Sequence, residues 1–149
     1  MSLADTSAKV LASWFGCGKS PIAPGTVGSL GALPLHVVLR SLGPLPYWTA
    51  TLSLTALGIW ASERVCESSG EKDPQWIVID EVAGTLIATG LVRRRSLAVR
   101  LAALLLFRVL DVAKPGPVNR AQELKPEGFA VMADDLLAGL AAGVMARWL

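Results

Sequence analysis

Charge, histidine, cysteine and tyrosine are all scarce in this chain of 149 residues. Charged residues make up 17% and hydrophobic ones 52%, whereas an ordinary soluble domain is about 25% charged. Disordered chains have the opposite balance, so disorder is excluded. A net charge of +2 gives no case for a nucleic-acid partner, because such binders concentrate a basic stripe. The one histidine, His36, lies between Leu35 and Val37 and reads as a core or interface residue. Without a second histidine, a Ser-His-Asp triad and histidine-phosphatase chemistry fall away. Cys17 and Cys66 form neither a C-x-x-C pair nor a disulfide framework, and both are expected to be reduced. Neither is followed six residues later by arginine, which removes phosphocysteine chemistry, and no Asp-x-Asp pair supplies an aspartyl nucleophile. Zinc lacks a ligand cluster. The start, Met1-Ser2-Leu3-Ala4-Asp5, has no basic segment leading into an apolar core, so no secretory signal is expected.

What the chain does have is apolar sequence, with a mean hydropathy of +0.50. Residues 41–62 carry no formal charge, and about 20 apolar residues suffice to span a bilayer as a helix. Pro44 and Pro46 fall early in that window, and Thr49, Thr51, Ser53 and Thr55 dilute it, so spanning and buried-core readings both stay open. Alanine and leucine dominate, and no period-two alternation is sustained, which favours helix over strand. The expected fold is all-α: one domain over 1–149, a compact bundle of about six helices, several strongly apolar and membrane-associated. The helices are expected over 4–14, 27–41, 47–69, 75–92, 95–113 and 128–148, with breaks at proline- and glycine-rich or polar stretches. Arg93, Arg94 and Arg95 mark either a solvated helix end or a loop facing lipid headgroups.

Acids embedded in apolar helices are costly unless paired or bound to a cation. They occur at Asp80-Glu81, at Asp111 and at Asp134-Asp135. The two doublets share a pattern: Asp80, Gly84 and Ala88 are spaced like Asp135, Gly139 and Gly143. Positions i, i+4 and i+8 lie on one helix face. Small residues there let two helices approach closely, which would bring Asp80 and Asp135 to neighbouring ends of one groove. Carboxylates gathered in that way repel unless a divalent cation joins them, and an oxygen-only ligand set suits magnesium. The alternative is that each acid pairs with Arg108, Lys114 or Arg120. A second cue is the loop from Gly16 through Lys19, Pro24, Gly25, Thr26 and Gly28 to Ser29. Glycine-rich turns opening a helix present backbone N–H groups suited to phosphate, although a capped Pro-Gly turn explains the same residues.

Four motifs together resemble the bacterial phosphatidylglycerophosphatase A family. They are Ser20-Pro21-Ile22-Ala23-Pro24-Gly25-Thr26-Val27-Gly28-Ser29, Asp80-Glu81-Val82-Ala83-Gly84, Phe107-Arg108-Val109-Leu110-Asp111-Val112-Ala113-Lys114-Pro115, and Gly128 to Gly139 around Asp134-Asp135. The resemblance covers nearly the whole chain. It implies a magnesium-dependent phosphatase that converts phosphatidylglycerophosphate to phosphatidylglycerol and inorganic phosphate in phospholipid biosynthesis. It also implies an α-helical protein of the bacterial inner membrane with its active site on the cytoplasmic side. The family often has an aromatic where Gly116 stands and a glycine where Glu127 stands, and these departures touch substrate preference more than the acids.

On this reading Asp80, Glu81, Asp111, Asp134 and Asp135 are catalytic, and Asp80, Glu81, Asp134 and Asp135 hold one or two Mg2+ ions. Lys19, Gly25, Thr26, Gly28, Ser29, Arg108 and Lys114 would bind phosphate. Asp111 either orients Arg108 and Lys114 or acts as general base. The partners are the lipid substrate and membrane lipid, with a homo-oligomer allowed. Trp48, Trp60, Trp76 and Trp148 belong either to a lipid–water boundary or to helix packing. Two rival functions are a magnesium-dependent phosphatase of a small soluble phosphomonoester and a non-catalytic membrane scaffold.

Overall fold

The computed structural model describes residues 2–149, and among them the fold is all-helical. Eight α-helices and one 3-10 turn follow in order: α1 (Leu3–Ala12), the turn Cys17–Lys19, α2 (Pro24–Gly31), α3 (Leu33–Leu42), α4 (Pro44–Ser69), α5 (Ile79–Leu91), α6 (Leu97–Ala113), α7 (Gly116–Ala121) and α8 (Glu127–Ala146). Local chemistry sets most of the boundaries. Ser2 caps α1 through its side chain, which accepts from the Asp5 N–H at 3.1 Å, while Asp5 returns a bond to the Ser2 N–H at 2.9 Å. Ser96 caps α6.

Prolines account for three departures from the expected helices. The expected helix over 27–41 is two helices. Pro34 has no N–H to donate back to the preceding turn, and the chain breaks at Ala32. Pro44 and Pro46, expected to delay a helix, instead sit in the first turn of α4, where a missing N–H costs nothing. Pro117 does the same for α7, a short helix inside the stretch expected to be a break. Residues 75–78, expected as helix, form the turn that leads into α5.

The middle of the bundle is α8, packed by α4, α5, α6 and α7. Among the described residues α8 alone is long and apolar enough to cross a membrane, and 61% of its apolar window is buried by the rest of the bundle. Its neighbours therefore use its apolar surface as core. α5 lies against it along the anticipated small-residue seam. A β-carbon on Gly139 would come within 2.4 Å of the Gly84 carbonyl oxygen, and one on Gly143 within 2.9 Å of the Ala88 carbonyl oxygen. α4 approaches as closely from another side, since a β-carbon on Gly128 would meet the Glu63 backbone nitrogen at 2.4 Å. Two clusters of buried side chains flank α8. Tyr47, Ile79, Leu86 and Met132 belong to one; Phe107, Ala138 and Ala142 belong to the other. Ala12 O accepts from Val78 N–H at 2.8 Å, and Arg64 pairs with Asp5 at 2.7 Å, so α1 is tied to the entrance of α5 and to α4.

His36 is buried, as its apolar neighbours imply. The Tyr47 hydroxyl donates to Leu86 O at 2.8 Å, and the Thr89 hydroxyl donates to Thr85 O at 2.7 Å. With both protons committed, His36 Nδ1 at 2.8 Å from Tyr47 and 3.0 Å from Thr89 is the donor. Nε2 is buried with no acceptor for a second proton, so the surroundings accommodate the neutral Nδ1–H form. Burial, reinforced by Arg100 and Arg40, lowers its pKa to about 4. Both cysteines are free thiols. Trp14 donates from its indole to Gly31 O at 3.0 Å and Trp48 packs on the core, while Trp148 is 89% exposed.

Gly139→Ala is expected to destabilise the fold by about 1–3 kcal/mol in denaturant unfolding, because the obstructing atom is backbone and cannot rotate away. Gly58→Ala should cost less, because its β-carbon would meet the flexible end of Met132. His36 takes up a proton in the unfolded chain below its ordinary pKa of 6.5 but in the folded chain only near 4. Its contribution is therefore present above pH 6.5 and is lost as the pH falls toward 4, by about 3 kcal/mol. Asn in its place keeps an amide donor at the Nδ1 position and does not titrate. The wild type should lose stability more steeply than His36→Asn across that window in thermal unfolding.

Candidate active site

Five carboxylates converge on a cavity of about 340 Å³ where α5 begins, α6 ends and α8 passes its midpoint. Asp80 and Glu81 come from the first turn of α5, where the helix dipole favours negative charge. Asp111 comes from the last turn of α6, and Asp134 and Asp135 come from α8. The α5–α8 seam sets their spacing, because Gly84 and Gly139 lie one turn beyond Asp80 and Asp135. Carboxylate oxygens of Asp80, Glu81 and Asp135 lie within 4.8 Å of one another, as do those of Asp111, Asp134 and Asp135. Asp135 thus belongs to two triads. Asp111, expected only as an orienting group or base, completes the second of them.

Two cations enter the same cavity. Arg108 Nη1 is 2.5 Å from Asp111 Oδ2 and 3.7 Å from Glu81 Oε1. Lys114 Nζ is 2.7 Å from Asp134 Oδ2. Lys114 occupies a left-handed C-cap position (φ 43°) that ends α6 and turns the chain beside α8. The alternative pairing of acids with Arg108 and Lys114 is therefore present, without Arg120, and it leaves most of the acid unneutralised: with Asp73, six carboxylates line the cavity against one guanidinium and one ammonium. Glu81 Oε2 and Asp135 Oδ2 are buried without a hydrogen-bond partner.

The electrostatics follow from that imbalance. Burial pushes Asp80 well above the ordinary carboxylate range, and the charges of Glu81 and Asp135 add to it. Burial likewise raises Asp135, with Asp111 and Glu81 adding. Glu81 is raised by burial against the opposing pull of its Asp80 hydrogen bond and of Arg108. Asp134 is raised by burial against Lys114. For Lys114, burial opposes the charge, but the Asp134 hydrogen bond and the surrounding acids outweigh it and raise its pKa. A set of buried acids held apart from water and short of cations suits a divalent metal of the oxygen-seeking class.

The start of α2 forms one wall through Ala23, Pro24 and Gly25. Ala23 is left-handed (φ 46°), which lets Pro24 begin the helix, and the first-turn amides have no partner within their own helix. A β-carbon on Gly25 would lie 2.0 Å from Glu81 Oε1 and 3.2 Å from Arg108 Nη2, so glycine is what lets this backbone reach the acids and the guanidinium. The rest of the loop is placed otherwise. Gly28 packs on Val78, where a β-carbon would be 2.7 Å from its Cβ. Ser29 is buried and donates to Gly25 O at 3.0 Å, while Thr26 is exposed beyond the cavity wall. Lys19 lies away from the acids, on a separate cavity with Phe15 and Trp76. Exposed Asp73 and Gln75 and buried Ile77 also line the acid cavity and were not anticipated. Nothing in the polar stretch before α5 marks them, apart from an acid next to Pro74.

An all-α bundle that gathers acids, two cations and a helix start around one cavity has the make-up of a phosphoric monoester hydrolase. The chain belongs to the phosphatidylglycerophosphatase A family, whose model matches residues 10–149. Phosphatidylglycerophosphatase A of Escherichia coli is 31% identical over 137 residues, which is 91% of this chain and 80% of the relative. The protein of the same name from Haemophilus influenzae is 36% identical over 137 residues, 91% of this chain and 84% of the relative. A putative phosphatidylinositol-3-phosphatase of Bacteroides thetaiotaomicron is 38% identical over 149 residues, covering 93% of this chain and 92% of the relative. No solved structure matches the chain.

Because like charges crowd the cavity, Asp135→Asn is expected to stabilise the metal-free protein by about 1 kcal/mol, roughly 3 °C in thermal unfolding with EDTA present. An unchanged or lowered melting temperature would show that the acids are not in electrostatic conflict.

Proposed function

We propose that the chain hydrolyses the terminal phosphate monoester of phosphatidylglycerophosphate, releasing phosphatidylglycerol and inorganic phosphate, with Mg2+ as cofactor and within phospholipid biosynthesis. The observation that carries this reading is the single cavity in which two carboxylate triads share Asp135 beside Arg108, Lys114 and the start of α2. Membership of the family supports a lipid substrate.

Asp80, Glu81 and Asp135 would hold one magnesium ion, and Asp111, Asp134 and Asp135 a second; the unpartnered oxygens of Glu81 and Asp135 fit that role. Magnesium supplies positive charge against the phosphoryl oxygens and makes water a better nucleophile at neutral pH. The chain's own groups do the positioning. Arg108, held by Asp111, offers its planar N–H groups to the phosphate. This favours the orienting role for Asp111. Lys114 adds a point charge from the other side of the cavity. The first amides of α2, at Gly25 and Thr26, point positive partial charge at the same place. Lys19, Gly28 and Ser29 have no place in this mechanism, since one lines a different cavity and the others pack within α2 and against Val78. The lipid substrate and the exposed apolar side chains support membrane association, and we place the protein at the cytoplasmic face of the bacterial inner membrane.

A second headgroup is favoured by one specific finding. The Bacteroides relative is named for phosphatidylinositol 3-phosphate and shares as much identity as the relatives named for phosphatidylglycerophosphate. Both substrates present a phosphate monoester on a lipid, so the acid cavity serves either. The test compares phosphate release from phosphatidylglycerophosphate, phosphatidylinositol 3-phosphate and glycerol 3-phosphate, with magnesium and with EDTA. Phosphatidylglycerophosphate is expected to be fastest, and EDTA is expected to stop release. Arg108→Ala and Asp135→Asn are each expected to slow it by roughly 100-fold or more. Faster release from glycerol 3-phosphate would replace the lipid reading with that of a soluble-phosphomonoester hydrolase.

A further inference from the structure

A groove of about 470 Å³ lies between the end of α6, α7 and α8 and takes no part in the chemistry of the acids. Every residue that lines it is apolar. Its α8 wall is open to solvent: Leu137, Leu140, Val144 and Met145 are each 40–49% exposed. Single exposed leucines are ordinary, but a continuous row of large apolar side chains along one helix marks a binding surface.

The groove starts where the acid cavity stops, and the same three segments line both. In α6, Leu110 lines the groove and Asp111 lines the cavity. Just after α6, Lys114 lines the cavity and Pro115 lines the groove. On α8, Asp134 lines the cavity, and Leu137, one turn further on, lines the groove. Asp134, Leu137, Ala141 and Val144 follow the i, i+3, i+7, i+10 spacing of a single helix face. From Leu137 the groove follows α8 to Met145, a rise of about 12 Å. Other cavities do not combine this continuity with an apolar lining. The one with Phe15 and Trp76 meets the acid cavity only across residues 75–77 and is lined by Lys9 and Lys19. The clefts beyond the far ends of α5 and α8 are lined by Arg40, Arg93, Arg94, Arg95 and Arg147.

We propose that this groove holds one acyl chain of the lipid whose phosphate monoester occupies the acid cavity, so that it selects long-chain esters over soluble ones. The proposal rests on the phosphatase reading above and adds to it the place where the hydrocarbon goes. A polar cavity continued by an apolar groove complements an amphiphile with phosphate at one end and a chain at the other. Burial of the chain is the same before and during phosphate transfer, so the groove lowers KM and leaves kcat alone. Met145, unbranched and polarizable, lets the wall adapt to chains of different shape.

The test measures binding of non-hydrolysable alkylphosphonates, hexyl to dodecyl, to the full chain with magnesium, below micelle-forming concentrations and without detergent. A fully buried methylene contributes about a factor of four, and one in an open groove about a factor of two. Dodecylphosphonate should therefore bind at least about 60-fold more tightly than hexylphosphonate. Ala141 is exposed and lines the groove, so A141F fills it without touching the core and should reduce that ratio to below about fivefold. If A141F is destabilised, L140Q/V144Q, which adds amides and little bulk, should flatten the series as well. A dodecylphosphonate with a photoreactive terminal carbon should label α8 between Leu137 and Met145. Equal affinity across the series overturns the proposal, as does an undiminished ratio in both variants or labelling around Phe15 and Trp76. If no phosphonate binds at any length, the phosphate site fails and the groove's role fails with it. A steep series in a protein that hydrolyses no phosphate ester would refute the phosphatase reading and leave the groove standing.

Discussion

The backbone of α5 touches the backbone of α8, and the rest of the site depends on that contact. Gly84 and Gly139 leave no side chain between the helices, so the carbonyl of one occupies the space that a β-carbon of the other would need. One turn before each glycine stands an acid, and the contact that joins the glycines joins Asp80 to Asp135. Such an approach needs glycine at both positions, and it brings buried carboxylates together at a distance they would not choose. Packing energy from the flanking side chains, among them Leu86, Met132 and Phe107, holds them there.

Charge is distributed along the bundle with unusual polarity. The buried acids collect at one end with Arg108 and Lys114, and six arginines collect at the other with no acid in the segments that carry them. A chain with so few charges would ordinarily scatter them over its surface as solvating pairs. Here both ends are left uncompensated, and like charges held together in that way cost stability. His36 and Tyr47 lie in the apolar interior between them, where burial keeps the imidazole neutral and raises the tyrosine pKa to about 12.

Much of this was legible from residues alone, where one residue type has few structural uses. Acids inside Ala/Leu-rich helices, followed at i+4 and i+8 by glycine or alanine, pointed to two helices meeting face to face, and they do. Helix existence was legible for the same reason, but boundaries near proline were not. Whether proline breaks a helix, as Pro34 does, or opens one, as Pro44 and Pro117 do, depends on where the preceding turn ends, and composition does not record that. The phosphate-like loop was only partly legible. Its glycines look equivalent in sequence, yet Gly25 faces the acids and Gly28 faces Val78, because successive helical positions point in different directions.

By itself, then, the sequence determined the helical class, the small-residue seam and the five acids of the candidate site, since periodicity and the cost of buried charge are properties of local composition. Only the tertiary structure decided which basic groups meet those acids. It selected Arg108 and Lys114 and left Lys19 on another cavity, it made Asp135 common to two triads, and it brought Asp73 and Gln75 to the cavity lining. It also gathered Arg40, Arg100 and Arg147 beside Arg93, Arg94 and Arg95, residues far apart in the chain. The physical reason is the same in each case: a long side chain's partners are set by how helix ends converge in space, and convergence follows from the packing of the whole bundle.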